Sequence, residues 1–139
     1  MDCMFCDAVA NPDKHPLVHR GPRFAILMDE YPIRPGHLLV FPIEHIPDVL
    51  ELAPERLTAL MVLARRLSAA LKCTYQVERI ALFTAGKAIG EHGHLHLLPL
   101  ADGLKKTFAG LSERERPCVD RATLMSEGMR ILSSAKLGA

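Results

Sequence analysis

The sequence has no tryptophan and few other aromatic residues, and neither sign of charge predominates. Its 17 Lys and Arg against 16 Asp and Glu give a net charge of +1. This balance argues against a broad nucleic-acid surface, because such a surface needs clustered cations. A small phosphate-bearing ligand is still possible, since a single site needs only a few donors. Any stacking on a nucleobase would have to come from the five Phe or two Tyr residues.

The sequence also lacks a long apolar run and a recognisable leader. No segment approaches the roughly 20 apolar residues that span a bilayer, and residues 1–6 contain no basic stretch followed by an apolar one. We therefore expect a cytoplasmic protein with no membrane partner. The length predicts a single domain over residues 1–139, with a core over 1–100 and a partly helical C-terminal extension over 101–139.

Hydrophobic periodicity predicts five strands and two helices. Short apolar runs bounded by Pro or Gly indicate strands, which are expected over residues 17–20, 24–28, 37–41, 79–83 and 92–98. Apolar residues at spacings of three and four indicate a helix from Pro54 to about Lys72. A second helix, interrupted by Gly128, is expected over 120–134. The pattern predicts an α+β fold, in which an antiparallel five-stranded sheet is covered by a helix and a further helix follows at the C-terminus.

Three histidines alternate along the last predicted strand, at His92, His94 and His96. Residues two apart on a strand share a face, so the three imidazoles should project to one side. Polar groups gathered on one strand face cost desolvation energy unless they have partners, and this favours a functional site. All three could chelate a metal. Alternatively, one could attack a phosphorus centre while its neighbours assist, because neutral imidazole is a competent nucleophile.

Three segments resemble the histidine triad (HIT) family. Residues 92–99, HGHLHLLP, are similar to its His-x-His-x-His motif, residues 3–8 to an N-terminal Cys-x-Phe-Cys segment, and residues 29–45 to its long central signature. Together they are far more specific than the histidines alone. The resemblance implies a HIT-like fold and a nucleotide hydrolase or nucleotidyl transferase with a covalent nucleotidyl-histidine intermediate. It implies dinucleoside polyphosphates or nucleoside phosphoramidates as substrates.

The same resemblance implies roles for individual residues. His94 would attack the α-phosphorus, His96 would bind and neutralise the phosphate, and His37 would support the nucleophile. For the nucleotide, Asp29 would hydrogen-bond the ribose and Phe5 would line the base pocket, where simple core packing is an equal alternative.

Two further features bear on the phosphate end of the expected site. Thr84 would lie near the phosphate. Many family members carry Gln and Ser before the first histidine, whereas residues 86–91 read GKAIGE. The residues that assist the leaving group therefore have no counterpart here. A nucleotide-binding or scaffold protein with little turnover is the alternative.

Cys3 and Cys6 have the C-x-x-C spacing that lets two thiolates bind one metal ion. Zinc prefers four ligands, and family members with this motif imply His45 and His92 as the other two. Such a Cys₂His₂ set forms a closed structural site and leaves His94 and His96 for phosphorus chemistry. A redox pair, a metal-storage protein or inert thiols are the alternatives.

The family is usually dimeric, so we also expect a homodimer. The helix from Pro54 carries apolar residues beyond its main stripe, Val62 and Leu63, which would suit a partner surface.

Overall fold

In the computed structural model, which describes residues 3–85, 91–109 and 116–137, five strands form one antiparallel sheet. The strands are β1 (Leu17–Arg20), β2 (Phe24–Met28), β3 (Leu38–Pro42), β4 (Arg79–Phe83) and β5 (Leu95–Leu100). Their order across the sheet is β1-β2-β3-β5-β4, and every neighbouring pair is antiparallel. The predicted α+β fold with an antiparallel five-stranded sheet is confirmed.

Four α-helices of the described residues accompany the sheet. They are α1 (Met4–Ala10), α2 (Pro54–Tyr75), α3 (Leu104–Phe108) and α4 (Arg121–Ala135), with short 3₁₀ turns at Pro12–Lys14 and Val49–Glu51. Helices α2 and α4 correspond to the two predicted ones. The short helices α1 and α3 were not predicted, because seven and five residues are too few to show a helical period. No helix in the described part of the chain has the length and apolarity to cross a bilayer.

The two faces of the sheet pack against different elements. On one face, Leu60, Leu67 and Leu71 of α2 and Leu124 and Ile131 of α4 join Ile26, Val40 and Leu97 in the larger core cluster. On the other, Phe5 and Ala8 of α1 pack against Ala25, Leu27, Leu39 and Phe41. Strands β2 and β3 are therefore buried on both sides, which explains their unbroken apolar sequences.

The last strand differs from its prediction at both ends. It begins at Leu95 rather than at His92 and runs through Pro99 to Leu100. Its start is delayed because the Gly93 N–H donates to the Ile46 carbonyl, at 2.6 Å, and not to a neighbouring strand. Pro99 is tolerated because β3 pairs with β5 only from Leu95 to Leu97, so no ladder partner on that side needs its missing N–H.

Gly128 lies where α4 crosses closest to the sheet. A Cβ added there would come within 3.0 Å of the Val18 Cβ, and nearer still to its Cγ1. Helix propensity alone would favour alanine by about 1 kcal/mol. Overpacking, however, costs about 1–3 kcal/mol, and so the contact with Val18 decides the outcome.

We expect Gly128→Ala to lower the free energy of unfolding by about 1–2 kcal/mol, measured by urea denaturation. The matched control is Ser133→Ala, at an exposed position of the same helix, which should change stability by less than about 0.5 kcal/mol. Adding Val18→Ala to Gly128→Ala should make the glycine substitution less costly. A Gly128→Ala protein more stable than the parent would contradict the close packing.

Candidate active site and metal centre

His94 and His96 lie on the sheet face that α1 covers, at the wall of a cavity of about 430 Å³. Its apolar lining residues are Met4, Phe5, Pro16, Leu27, Met28, Leu39 and Ala85. Its polar lining residues are His15, Asp29, Glu30, Tyr31, Glu91, His94, His96 and Arg116. The cavity has the size of a small-molecule site, and this mixed lining suits a ligand with an apolar ring and polar groups.

A chain of hydrogen bonds fixes which nitrogen of each imidazole carries a proton. The Ile33 N–H donates to His37 Nδ1 at 3.1 Å, so this nitrogen must be unprotonated. The proton of neutral His37 is then on Nε2, which donates to His96 Nδ1 at 2.9 Å. His96 in turn carries its proton on Nε2.

The chain ends at His94. His96 Nε2 lies 3.1 Å from His94 Nε2 and donates to it, while His94 Nδ1 donates to the His92 carbonyl at 2.8 Å. A carbonyl can only accept, so Nδ1 of His94 carries the proton and Nε2 keeps its lone pair. The arrangement therefore presents one nucleophilic nitrogen, at His94 Nε2, beside the cavity.

The supporting imidazoles are held neutral. Burial, reinforced by the nearby charge of Arg116, lowers the pKa of His37 to about 3. Burial and the neighbouring His37 lower the pKa of His96 to about 4. Both rings are therefore neutral near pH 7, as the direction of the hydrogen-bond chain requires.

Asp29 and Phe5 border the histidines on either side. One carboxylate oxygen of Asp29 accepts from the Tyr31 N–H at 2.9 Å, and the other lies 3.5 Å from His37 Nε2. The Phe5 ring stacks on His94 with centroids 4.6 Å apart and meets Phe41 edge-on at 4.8 Å. Phe5 thus belongs both to the core and to the cavity wall, and its contact with a base stays a prediction.

The Thr84 side chain contacts the backbone of His94. Its hydroxyl donates to the His94 carbonyl at 2.7 Å, and Thr84 is not among the described residues that line the cavity. The contact fastens the backbone of His94 to the end of β4. A direct contact between Thr84 and a phosphate stays a prediction. Of the loop that precedes His92, Lys87 lies outside the described residues, and Glu91 lines the cavity.

Cys3, Cys6, His45 and His92 form a second cluster, next to the first. Their ligand atoms all lie within 4.8 Å of one another. His92 Nε2 donates to the Pro42 carbonyl at 2.6 Å, so its Nδ1 is unprotonated. That Nδ1 faces the Cys3 and Cys6 sulfurs, at 3.4 and 3.6 Å.

The distances in this cluster match the edges of a zinc tetrahedron. Zinc binds nitrogen at about 2.0–2.1 Å and sulfur at about 2.3 Å, which puts tetrahedral ligands about 3.3 Å apart for two nitrogens and about 3.5 Å apart for nitrogen and sulfur. His45 Nδ1 lies 3.2 Å from His92 Nδ1 and 3.5 Å from the Cys6 sulfur. The residues present therefore fit a tetrahedral zinc ion.

Gly93 allows the two clusters to sit side by side. A Cβ at this position would lie 2.7 Å from the Val49 N and 3.1 Å from the Ile46 carbonyl oxygen. Only glycine lets the segment around Ile46 approach so closely. This close approach brings His45 next to His92, while His94, the residue after Gly93, faces the cavity.

Asp29, His37 and His96 also come together closely enough to hold a metal ion. His37 and His96 already satisfy each other through the hydrogen-bond chain, and the positive charge of Arg116 is close to both. These two observations favour a neutral imidazole pair over a second metal site.

Sequence reasoning missed Arg116 as a residue of the cavity wall. It lies in the C-terminal region, where no motif or periodicity marks it, and it reaches the cavity only through the folding of the chain.

Comparison with known proteins shows similarity to histidine triad proteins throughout. The HIT domain profile matches residues 12–103. An uncharacterized HIT-like protein of Saccharolobus solfataricus is 33% identical over 101 residues, which are 70% of this chain and 73% of that protein. A bis(5'-adenosyl)-triphosphatase of Dictyostelium discoideum is 34% identical over 77 residues, 52% of each chain.

Solved structures agree with this similarity. A hypothetical histidine triad nucleotide-binding protein of Sulfolobus tokodaii superposes with a TM-score of 0.77 at 25% identity, covering 96% of this chain and 92% of that one. A zinc-bound histidine triad family protein of Mycobacterium smegmatis superposes with a TM-score of 0.74 at 22% identity, covering 98% and 94%.

Proposed function

The chain belongs to the histidine triad family, and we propose on this basis that it cleaves a nucleotide at the α-phosphate through a covalent nucleotidyl-His94 intermediate. The observation that carries the proposal is the unprotonated Nε2 of His94 at the wall of a cavity lined by both apolar and polar side chains. Candidate substrates are dinucleoside polyphosphates and nucleoside phosphoramidates. The similarity to a bis(5'-adenosyl)-triphosphatase supports the first class.

In the proposed first step, the lone pair of His94 Nε2 forms a bond to the α-phosphorus, and the bond from phosphorus to the leaving group breaks. The ring becomes cationic, and its Nδ1 proton is held by the His92 carbonyl. The Nε2 proton of His96 turns from His94 to a phosphoryl oxygen, while His37 keeps the other nitrogen of His96 occupied. Water then cleaves the phosphorus–nitrogen bond, or an acceptor takes the nucleotidyl group. His94 is regenerated in either case.

The nucleotide would contact both the apolar and the polar residues of the cavity wall. Phe5 and its apolar neighbours would contact the base, and Asp29 would accept hydrogen bonds from the ribose hydroxyls. Asp29 is suited to this role because one of its oxygens is already oriented by the Tyr31 N–H.

We expect His94→Ala to reduce turnover of bis(5'-adenosyl) triphosphate by at least about 10³-fold, because a covalent nucleophile is lost. The matched control is His19→Ala, a partly buried histidine of β1, which should keep the parent rate. Mass spectrometry of the quenched parent protein should find one nucleotidyl group on His94.

Two outcomes would contradict this mechanism. A His94→Ala protein with the parent rate would exclude His94 as the nucleophile. Nucleotide binding by the parent protein without product, over a panel of dinucleoside polyphosphates and phosphoramidates, would favour the alternative of a nucleotide-binding or scaffold protein.

We propose that Cys3, Cys6, His45 and His92 hold one structural zinc ion. Four protein ligands leave no open position for substrate. The ion would therefore stabilise the fold and would not contact the substrate. It would join α1 to the chain that enters β5, and so would hold Phe5 against His94.

Elemental analysis of the freshly purified protein should find one zinc per chain, and Cys6→Ser should lose most of it. We expect this loss to lower stability by several kcal/mol, because the free energy of zinc binding is available to the folded state alone. Cys73→Ser is the matched control, an exposed cysteine distant from the cluster, and should retain zinc and stability. Zinc-free parent protein would refute the proposal.

We also propose a homodimer. The edge strand β4 exposes 45% of Leu82, and the adjacent helix α2 exposes 43% of Met61 and 54% of Val62. Leu63, expected on the same surface, is partly buried against the core instead. Sedimentation velocity should return a dimer at micromolar concentration. A monomer over the whole concentration range would remove this proposal.

A further inference from the structure

Among the described residues that line the proposed nucleotide site, only one carries a permanent positive charge. The described residues that line the cavity include three acidic ones, Asp29, Glu30 and Glu91. His37 and His96 are neutral near pH 7, and His15 is paired with Asp7 at 2.6 Å. Arg116 is the only lysine or arginine among these lining residues. A phosphate bound beside His96 would therefore meet Arg116 as the one fixed cation of the described cavity wall.

The guanidinium of Arg116 has no partner among the described residues. Its Nε is buried and makes no hydrogen bond. Three carboxylates line the same cavity, yet the ion pairs between described residues include none to Arg116. A buried, unpaired donor on a charged group is costly, and an anionic ligand would remove this cost.

The chain on the C-terminal side of Arg116 is fastened to the cavity mouth. The Val119 N–H donates to the Glu30 carbonyl at 2.9 Å. Asp120 caps α4 through the Thr123 N–H, at 3.0 Å. Arg121 Nε donates to the His15 carbonyl at 2.8 Å. Glu30 and His15 both line the cavity, so the position of Arg116 is set by the same elements that form the site.

We propose that Arg116 is a phosphate-binding residue, which holds the 5′-phosphate of a nucleotide against His96 and His94. The inference rests on the proposed function and deepens it. Arg116 lies outside residues 12–103, the part of the chain that matches the family profile. It therefore supplies, from the C-terminal region, a charge that the neutral His37 and His96 do not. Its planar guanidinium can donate two parallel hydrogen bonds to a phosphate.

The affinities for a nucleoside and for its 5′-monophosphate distinguish a phosphate-binding role of Arg116 from a structural role. Neither ligand is consumed, and the two differ only in the phosphate. Isothermal titration calorimetry is first run on the parent protein with the four common ribonucleosides and their monophosphates, and the pair with the tightest binding is kept. That pair is then titrated into Arg116→Gln, Arg116→Lys and Arg20→Gln.

We expect Arg116→Gln to weaken binding of the monophosphate by roughly 10- to 100-fold, because a charge-assisted hydrogen bond is lost. Binding of the nucleoside should weaken by less than about twofold. Arg116→Lys should lose less than Arg116→Gln, because the charge remains. Arg20→Gln is the matched control. Arg20 is an exposed arginine of β1, and its removal should change neither affinity.

Three outcomes would overturn the inference. An unchanged monophosphate affinity in Arg116→Gln would exclude the contact while leaving the proposed function intact. An equal loss for nucleoside and monophosphate would assign Arg116 a structural role. If the parent protein bound none of the nucleosides or monophosphates, the proposed function itself would fail, and this inference with it.

Discussion

His92 joins the two halves of the site through three of its atoms. Its Nε2 donates to the Pro42 carbonyl, and this forces the unprotonated Nδ1 toward Cys3 and Cys6. Its own carbonyl accepts from His94 Nδ1 and so leaves the lone pair of His94 on Nε2. The orientation of the Cys₂His₂ cluster and the protonation of the proposed nucleophile therefore depend on one short stretch of backbone. Gly93 is the residue that lets this stretch lie against the segment around Ile46.

The hydrogen-bonded chain of imidazoles satisfies the buried ring nitrogens of His37 without burying a charge. A charged histidine at the position of His37 would pay the full desolvation penalty, since the side chain is only 1% exposed. Kept neutral, His37 satisfies both nitrogens, one with the Ile33 N–H and one with His96. His96 then has only one way to place its proton, toward His94. The direction of the chain follows from its first donor, a backbone amide that cannot accept.

The sequence predicted the strands and the histidine cluster because both depend on local pattern. Period-two alternation correctly grouped His94 and His96, and the apolar runs of β2 and β3 marked strands buried on both faces. The same rule placed His92 in the strand, which the structure contradicts, because the tertiary contact between Gly93 and Ile46 ends the ladder at Leu95. Local pattern also could not show α1, whose stability depends on burying Phe5 and Ala8 against the sheet.

Arg116 could not be predicted from sequence motifs, and the reason is physical. The histidines can be found from the sequence because they alternate on one segment. A cation that contacts a phosphate can come from any part of the chain that the fold brings to the site, so no spacing in the sequence identifies it. Arg116 lies on a chain held by Glu30 and by the cap of α4, outside residues 12–103 that match the family profile. The motif would thus provide the proposed nucleophile and its proton chain, while the proposed phosphate-binding charge would come from the C-terminal region. A substitution at Arg116 would then change selectivity for the anionic part of the substrate without any change in the histidines.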